Sequence, residues 1–534
     1  MDVNDRRKGR PWLAFTIGIV VLLAAALAWL GGREDLRLPL PWQESPEFRA
    51  VELPPDYEET IVLWDYPWPL WEPVLDPMTF VADDTQRPSY RKLLDRALAD
   101  FRRLYPGIQV EVRLLSFAEG PGEVAAALAA GHGPDVLAVW WDSPLPPSDR
   151  LVPVTPYLKE GDQEAYHPLA WELAATAGAG GEGEGAATAR SPGARSAGRP
   201  EVWAWPRWIA FHPWLLNVAT VAPPSGDATP SGGPQPLPPP WREAQEEGWT
   251  VAQAREWLAS PEAAGRPPFV PGTGGLPLLG ELLAGRPDPT ATATALTELR
   301  RLAGEQDGPP AIFAALKEGR FRLAGGLGPA TAAWPFLPAL GRDRGEPVPP
   351  YALLAPPLPS HPGIGSDPDG HEAGPGSRPE NLQGNMLPGP RPVVSLGAYA
   401  VPRPRDAAAP EKIQAAMELA RFLSRRLAVE PLDRFLAVPA PEAVWTLWRD
   451  ATPLPGPVVD QLIRWAGGAV GGRFRPYPPA PLMAHLASGG SRLQGATARF
   501  WQGDADAGEI VDLLWPPGGD DSRQNSTAAG TETP

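Results

Sequence analysis

Residues 93–140 read LLDRALADFRRLYPGIQVEVRLLSFAEGPGEVAAALAAGHGPDVLAVW, and the order of patterns in them decides the fold class. Leu93, Leu94, Ala97, Leu98 and Phe101 recur at helical spacing until Tyr105-Pro106-Gly107 stops the helix. From Ile108 to Leu115, apolar Val110, Val112 and Leu114 alternate with polar neighbours, the period of a strand. Val124 to Ala130 forms a short helix stopped by Gly131-His132-Gly133, and Asp135 to Trp140 is an apolar strand. Upstream, Thr60-Ile61-Val62-Leu63-Trp64 is β-branched and apolar, a buried strand. The resulting β-α-β-α-β order calls for a parallel sheet with right-handed crossovers. Ligands of such sheets lie beyond the carboxyl ends of the strands. Here those ends carry Trp64-Asp65-Tyr66 and Trp140-Trp141-Asp142, rings beside carboxylates.

Further along, strand-like runs fall at 202–216, 321–325, 351–354 and 394–401, with a helix near 250–259. After Pro410, Ile413, Ala416, Met417, Ala420, Leu423 and Leu427 make the stripe of a long helix. Shorter helices are expected at 441–449, 456–466, 480–501 and 504–514. Five stretches hold too little large apolar side chain to offset the cost of ordering the chain: 33–57, 178–200, 223–240, 341–392 and 516–534. They are expected to be a linker (33–57), insertions and a tail around a folded region spanning 58–515.

Arg6, Arg7, Lys8 and Arg10 precede a run from Pro11 to Gly32 without charge. At about 1.5 Å per residue that run reaches across the roughly 30 Å of a hydrocarbon core. Residues 1–32 are therefore expected to be a cytoplasmic basic flank and a single-pass anchor, with the rest extracytoplasmic by the positive-inside rule. A cleaved signal peptide ending near Ala26-Leu27-Ala28, giving a secreted form, is the alternative.

The whole chain, 534 residues with 63 acidic against 47 basic side chains, carries a net charge of −16, which argues against nucleic acid as a partner. Without cysteine it has no disulfide, thiolate nucleophile or Cys-ligated metal. Its six His are scattered without ligand spacing, so neither a metal site nor a cofactor is expected. No phosphate-binding Gly-Lys-Ser loop and no Gly-x-Ser-x-Gly elbow occur. The Gly-x-Gly-x-x-Gly match at 178–183 follows no strand and lies in low-complexity sequence. What remains is a binding chemistry. Indole and phenol rings stack on sugar faces while carboxylates accept from hydroxyls, and 22 Trp are available. Asp65 and Asp142 as the acid–base pair of a glycosidase is a further reading.

Eight segments resemble, in order, the extracellular solute-binding proteins of ABC importers, the group that includes maltose- and oligosaccharide-binding proteins. They are TIVLWDYPWP, LADFRRLYPGIQVEV, VAAALAAGHGPDVLAVWWD, LVPVTPYL, EVWAWPRWIAFHPWLLN, IFAALKEGRFRLAGGLGP, VVSLGAYAVPRPRDAAAPEKIQAAMELARFLS and GDADAGEIVDLL, spanning 58–515. The resemblance implies a two-lobed α/β fold of the periplasmic-binding-protein type (type II), with crossing hinge strands and a solute in the inter-lobe cleft. It also implies a non-enzyme working with ABC permease subunits. By position, ligand residues fall on Trp64, Asp65, Tyr66, Trp141, Asp142, Trp208, Phe211, Trp334 and Tyr399. The family's aromatic residue after the Gly-Pro turn is Ala330 here, with Trp334 four residues on. A carbohydrate-like solute is the expected ligand. The same fold serving as an envelope receptor or scaffold for a protein partner is the alternative.

Overall fold

The computed structural model describes residues 48–66, 90–116, 119–140, 145–176, 201–221, 237–258, 269–272, 276–284, 288–303, 315–316, 321–336, 351–357, 391–405, 409–429, 435–479, 482 and 491–516. The apolar run 11–32, the insertion 178–200 and the tail beyond 516 lie outside them. Among the described residues no helix is long and apolar enough to cross a membrane.

Eleven strands are described: β1 (Glu59–Asp65), β2 (Ile108–Leu114), β3 (Val136–Val139), β4 (Trp205–Phe211), β5 (Trp214–Asn217), β6 (Phe269–Pro271), β7 (Leu323–Gly325), β8 (Tyr351–Leu354), β9 (Val393–Ala400), β10 (Ala437–Pro439) and β11 (Arg475–Pro476). They form two sheets. The first has the order β10-β4-β9-β3-β1-β2, with β11 beside the start of β9. Here β1 pairs in parallel with β2 and β3, as the β-α-β-α-β order requires, while β9 runs antiparallel to both β3 and β4. β4 and β9 are buried along their whole length, which is why both read as unbroken apolar runs.

The helix Tyr90–Leu104 buries Tyr90, Leu93, Leu94, Ala97, Leu98 and Phe101, the stripe visible in the sequence. Arg102 and Arg103 in its last turn complement the helix dipole. The long helix Pro410–Arg426 packs on β1, β3, β4 and β9 and on the helix Tyr90–Leu104. The described fold begins earlier than the linker boundary at 57: Phe48 is buried, and the Val51 amide donates to Gln414 Oε1 at 3.1 Å.

The second sheet, β6-β7-β5-β8, is smaller and has its own helical cover. One face carries Trp214, Leu216, Phe269, Leu323 and Leu354 into a core shared with helices Val251–Leu258, Leu276–Leu283, Pro289–Ala303, Ser491–Gln502 and Ala507–Leu514. The alternate residues Leu215, Val270, Ala324 and Leu353 point the other way and join the first core through Leu327, Ala332 and Phe336. β8 is the strand-like run expected at 351–354, although it falls inside the stretch 341–392 expected to be unpacked; it is held by four register pairs with β5. The run 202–216 holds two strands, the crossing pair that the resemblance of EVWAWPRWIAFHPWLLN implies. It breaks at His212-Pro213 into β4 in the first sheet and β5 in the second.

The chain passes between the sheets at His212-Pro213, between β8 and β9, and between β11 and the helix Ser491–Gln502. The result is two α/β lobes joined, among the described residues, by these three passages between strands of the two sheets and by the turn after β7, which carries Leu327 to Phe336 into the first core.

Candidate functional site

The carboxyl end of β1 is occupied by a buried polar quartet. Asp65 is fully buried; its Oδ1 accepts from the Tyr66 amide at 2.8 Å, and its Oδ2 accepts from the Tyr90 and Tyr399 hydroxyls at 2.5 and 3.1 Å. Arg207 completes it, donating from Nη1 to Tyr399 Oη at 3.0 Å and Tyr90 Oη at 3.4 Å, and from Nε to the Leu427 carbonyl at 3.1 Å. Arg207 is the extra residue where the β4–β9 register shifts between Pro206 and Trp208, and the bulge turns its side chain inward. Burial pushes the Asp65 carboxyl up from its ordinary value, while Arg207, the two hydroxyls and the amide pull it down. Every contact donates to Asp65, the pattern of an acceptor-only carboxylate.

The quartet brings two of the expected site residues, Asp65 and Tyr399, together in the interior. The chain neighbours of Asp65 are buried as well. Trp64 lies under the Arg113 guanidinium, 4.7 Å from its ring centre, and Tyr66 packs against Gly120 at the start of the helix Gly120–Ala130. Trp208 is fully buried between the Arg207 guanidinium at 4.1 Å, Trp140 at 5.0 Å and Phe435 at 5.5 Å. Its indole lies over Gly397, where an added Cβ would come within 1.9 Å of Nε1. Phe211 is fully buried beside Trp465, with ring centres 5.8 Å apart. These six residues therefore act in this structure as packing and hydrogen-bonding groups of the first lobe. Trp334 lies in the short 3-10 turn Trp334–Phe336 that follows the helix Gly328–Ala333. Trp141 and Asp142 lie outside the described residues.

The abundance of Trp is explained in part by the cores. Trp140, Trp205, Trp208, Trp214, Trp249 and Trp448 are among the largest fully buried side chains. In the second lobe, Trp214 meets Trp249 edge-on at 5.3 Å and stacks on Phe269 at 5.2 Å, and the Trp249 indole donates to the Ala355 carbonyl at 2.7 Å.

The passages between lobes converge on a second buried polar group. His212 shares a hydrogen bond with Ser395 Oγ at 2.9 Å and stacks on Tyr477 at 4.1 Å; burial pushes its pKa down to about 3. Arg475 donates to the carbonyls of Pro357 at 3.0 Å, Arg391 at 3.1 Å and Pro356. It thus ties the end of the β8 segment to the start of β9. Burial lowers its pKa to about 10, opposed by the charge of Glu281. Glu281 itself is fully buried on the helix Leu276–Leu283.

None of Arg207, His212, Glu281 or Arg475 was singled out from the sequence. A signal for two of them was present: a lone Arg within WPRWIAF and a lone Glu within LPLLGELL, each in an otherwise apolar run, demand buried partners. Among the described residues no group of three or more His, Asp or Glu could hold a metal ion.

No family model matches the chain, and no curated protein matches it. Solved structures do. A maltose/maltodextrin-binding domain from Bdellovibrio bacteriovorus, bound to maltotriose, is 13% identical over 85% of this chain and 97% of that one, with a TM-score of 0.45. A maltotriose-binding protein from Thermus thermophilus is 16% identical over 85% of this chain and 98% of that one, with a TM-score of 0.45. The GacH receptor of Streptomyces glaucescens, solved unliganded and with acarbose, is 13% identical over 88% of this chain and 98% of that one, with a TM-score of 0.46.

Proposed function

We propose that this chain is an extracytoplasmic solute-binding protein that closes two lobes over a carbohydrate-like solute and delivers it to the permease of an ABC importer. The observation that carries the reading is the architecture. Two sheets, each with its own helical cover, exchange chain at His212-Pro213, between β8 and β9 and after β11, and His212, Tyr477 and Arg475 tie these places together. That arrangement suits hinge closure, in which a solute touching both lobes stabilises the closed form. The eight ordered sequence segments that resemble solute-binding proteins of importers support the same reading.

Binding, on this account, involves no covalent chemistry. Trp141 and Asp142, two and three residues past the end of β3 in the sequence, and Trp334, directly after the helix Gly328–Ala333, are the residues proposed to meet the solute, by ring stacking and hydroxyl recognition. Asp65, Trp208 and Tyr399 stiffen the first lobe at the carboxyl end of β1. The run Pro11–Gly32 is proposed to anchor the protein, with residues from 33 on outside the cytoplasm.

The test is a thermal-shift and intrinsic-fluorescence titration of the full chain with maltotriose, xylotriose, other oligosaccharides, polyols and polyamines. A solute bound by the native state alone, at one hundred times its Kd, stabilises by about 2.7 kcal/mol. At least one oligosaccharide is expected to raise the melting temperature. A flat response to the whole panel counts against the reading.

One observation favours a second reading, an envelope receptor or scaffold of the same fold engaging a protein partner. Tyr66, Trp208, Phe211 and Tyr399 are all buried, which leaves fewer rings for a sugar than the sequence suggested. The flat titration is the outcome that this second reading expects.

A further inference from the structure

One buried carboxyl sits where the lobes exchange chain. Glu281 Oε2 accepts from the Trp214 indole at 2.7 Å and from the Gly326 amide at 2.9 Å, while Oε1 has no hydrogen-bond partner among the described residues. Trp214 begins β5, directly after the His212-Pro213 passage. Gly326 opens the turn that leads from β7 to Leu327 and the first core. A single side chain therefore holds two connections between the lobes.

The surrounding contacts leave the turn little freedom. Gly326 has φ 70°, and a Cβ there would lie 2.3 Å from Leu278 Cβ, so helix and turn are locked together. Gly280, beside Glu281, packs so closely on Tyr477 that an added Cβ would come within 2.3 Å of the ring. Tyr477 follows β11 and stacks on His212. The helix that carries Glu281 thus also touches the third passage.

We infer that Glu281 is a positioning residue of the inter-lobe junction: its carboxyl fixes the Gly325–Gly328 turn against Trp214 and thereby sets the resting angle between the lobes. The inference rests on the reading of the chain as a closing two-lobed receptor. Such a residue makes no contact with solute; it acts through the backbone it holds.

The groups facing the carboxyl are few. The second sheet supplies the Trp214 indole, and the turn supplies the amides of Gly326 and Gly328, which favour the charged form. The first sheet supplies Arg475, with Arg391 beyond it. Because the donors of Arg475 are engaged by three carbonyls, it forms no ion pair with Glu281 among the described residues. His212, across Tyr477, is uncharged through the neutral range. Burial pushes Glu281 up to about 8 against these influences. Above that pH the site holds a charge with one oxygen unpaired, which is costly in the interior. Loosening of the turn, letting water reach Oε1, relieves that cost. The resting angle therefore responds to pH through Glu281.

The chain has no cysteine, so Arg102→Cys and Glu256→Cys place one spin label on an exposed helical site of each lobe. Inter-lobe distances are measured on the full chain without any solute, from pH 6 to 9.5. The parent is expected to shift to a broader, displaced distribution with a midpoint between pH 7 and 9. Glu281→Gln, which keeps an acceptor for the indole and the amide, is expected to hold the pH 6 distribution throughout. Glu281→Ala is expected to be broadened at every pH. Superimposable profiles for the parent and Glu281→Gln, or a parent distance that ignores pH, overturn the inference, and neither result depends on Glu281→Ala folding. Because no solute enters this measurement, its failure is distinct from a failure of the sugar titration.

Discussion

The most informative single substitution is Asp65→Asn, because it separates a wall-building role from a ligand-contacting one. In the native quartet Oδ2 receives two hydroxyl hydrogens, from Tyr90 and Tyr399, and the charge stands opposite the buried Arg207. Asn keeps one acceptor oxygen, so its NH2 faces either the two hydroxyls or the Tyr66 amide, and Arg207 is left without a counter-charge. Removing one member of such a buried pair costs about 3–5 kcal/mol. At about 2.1 cal/mol/K of unfolding entropy per residue, a folded region of several hundred residues loses about 1–1.5 °C of melting temperature per kcal/mol, so the drop is roughly 5 °C. Arg207→Met alone is expected to be comparably damaging, since it strands the carboxylate. The double variant is expected to recover part of the loss, a coupling of about 1–3 kcal/mol. The assay is thermal unfolding followed by near-ultraviolet circular dichroism, alongside affinity for the best solute of the panel. A melting temperature equal to that of the parent, together with lost affinity, refutes the reasoning and returns Asp65 to direct ligand contact.

Gly397→Ala drives a methyl group to 1.9 Å from Trp208 Nε1 and is expected to destabilise the first lobe by about 3 kcal/mol or more; an unchanged melting curve contradicts the packing described. His212, ordinarily near 6.5 and about 3 when folded, makes native stability full above pH 6.5 and steadily lost as pH falls toward 3, because the unfolded chain takes up the proton first. Replacing it with Phe is expected to flatten that acid limb in a melting series from pH 3.5 to 7. Glu281 works in the opposite direction. Its carboxyl, ordinarily near 4.5 and about 8 when folded, keeps a proton that the unfolded chain has released, so stability falls as pH rises from 4.5 to about 8 and is flat beyond. That gap is worth at most about 5 kcal/mol, and Glu281→Gln is expected to raise the melting temperature at pH 9 while leaving it unchanged at pH 4.

Elements whose hydrophobic period is long and single-faced were legible in the sequence: the helices Tyr90–Leu104 and Pro410–Arg426, and the strands β1 to β3. The break of 202–216 into strands of two different sheets shows in no periodicity, because both halves are buried on both faces and read as one apolar run; it was legible only through the resemblance of EVWAWPRWIAFHPWLLN to a pair of strands that cross between lobes. Burial of Trp208 and Phe211 escaped for a related reason. A Trp suits a core and a sugar platform equally well, and only the approach of Arg207, Gly397 and Trp465 decides between them. The partners of Asp65 come from positions 90, 207 and 399, a spread that no local pattern encodes. The helix Leu276–Leu283 was missed because Pro277 and Gly280 interrupt its eight residues, and with it went Glu281.

Capture of a solute by moving lobes is tested most directly with the label pair Arg102→Cys and Glu256→Cys at constant neutral pH, before and after saturation with the tightest-binding oligosaccharide. The account predicts a shorter and narrower inter-lobe distance in the saturated protein. A distance unchanged by a solute that demonstrably binds would contradict it.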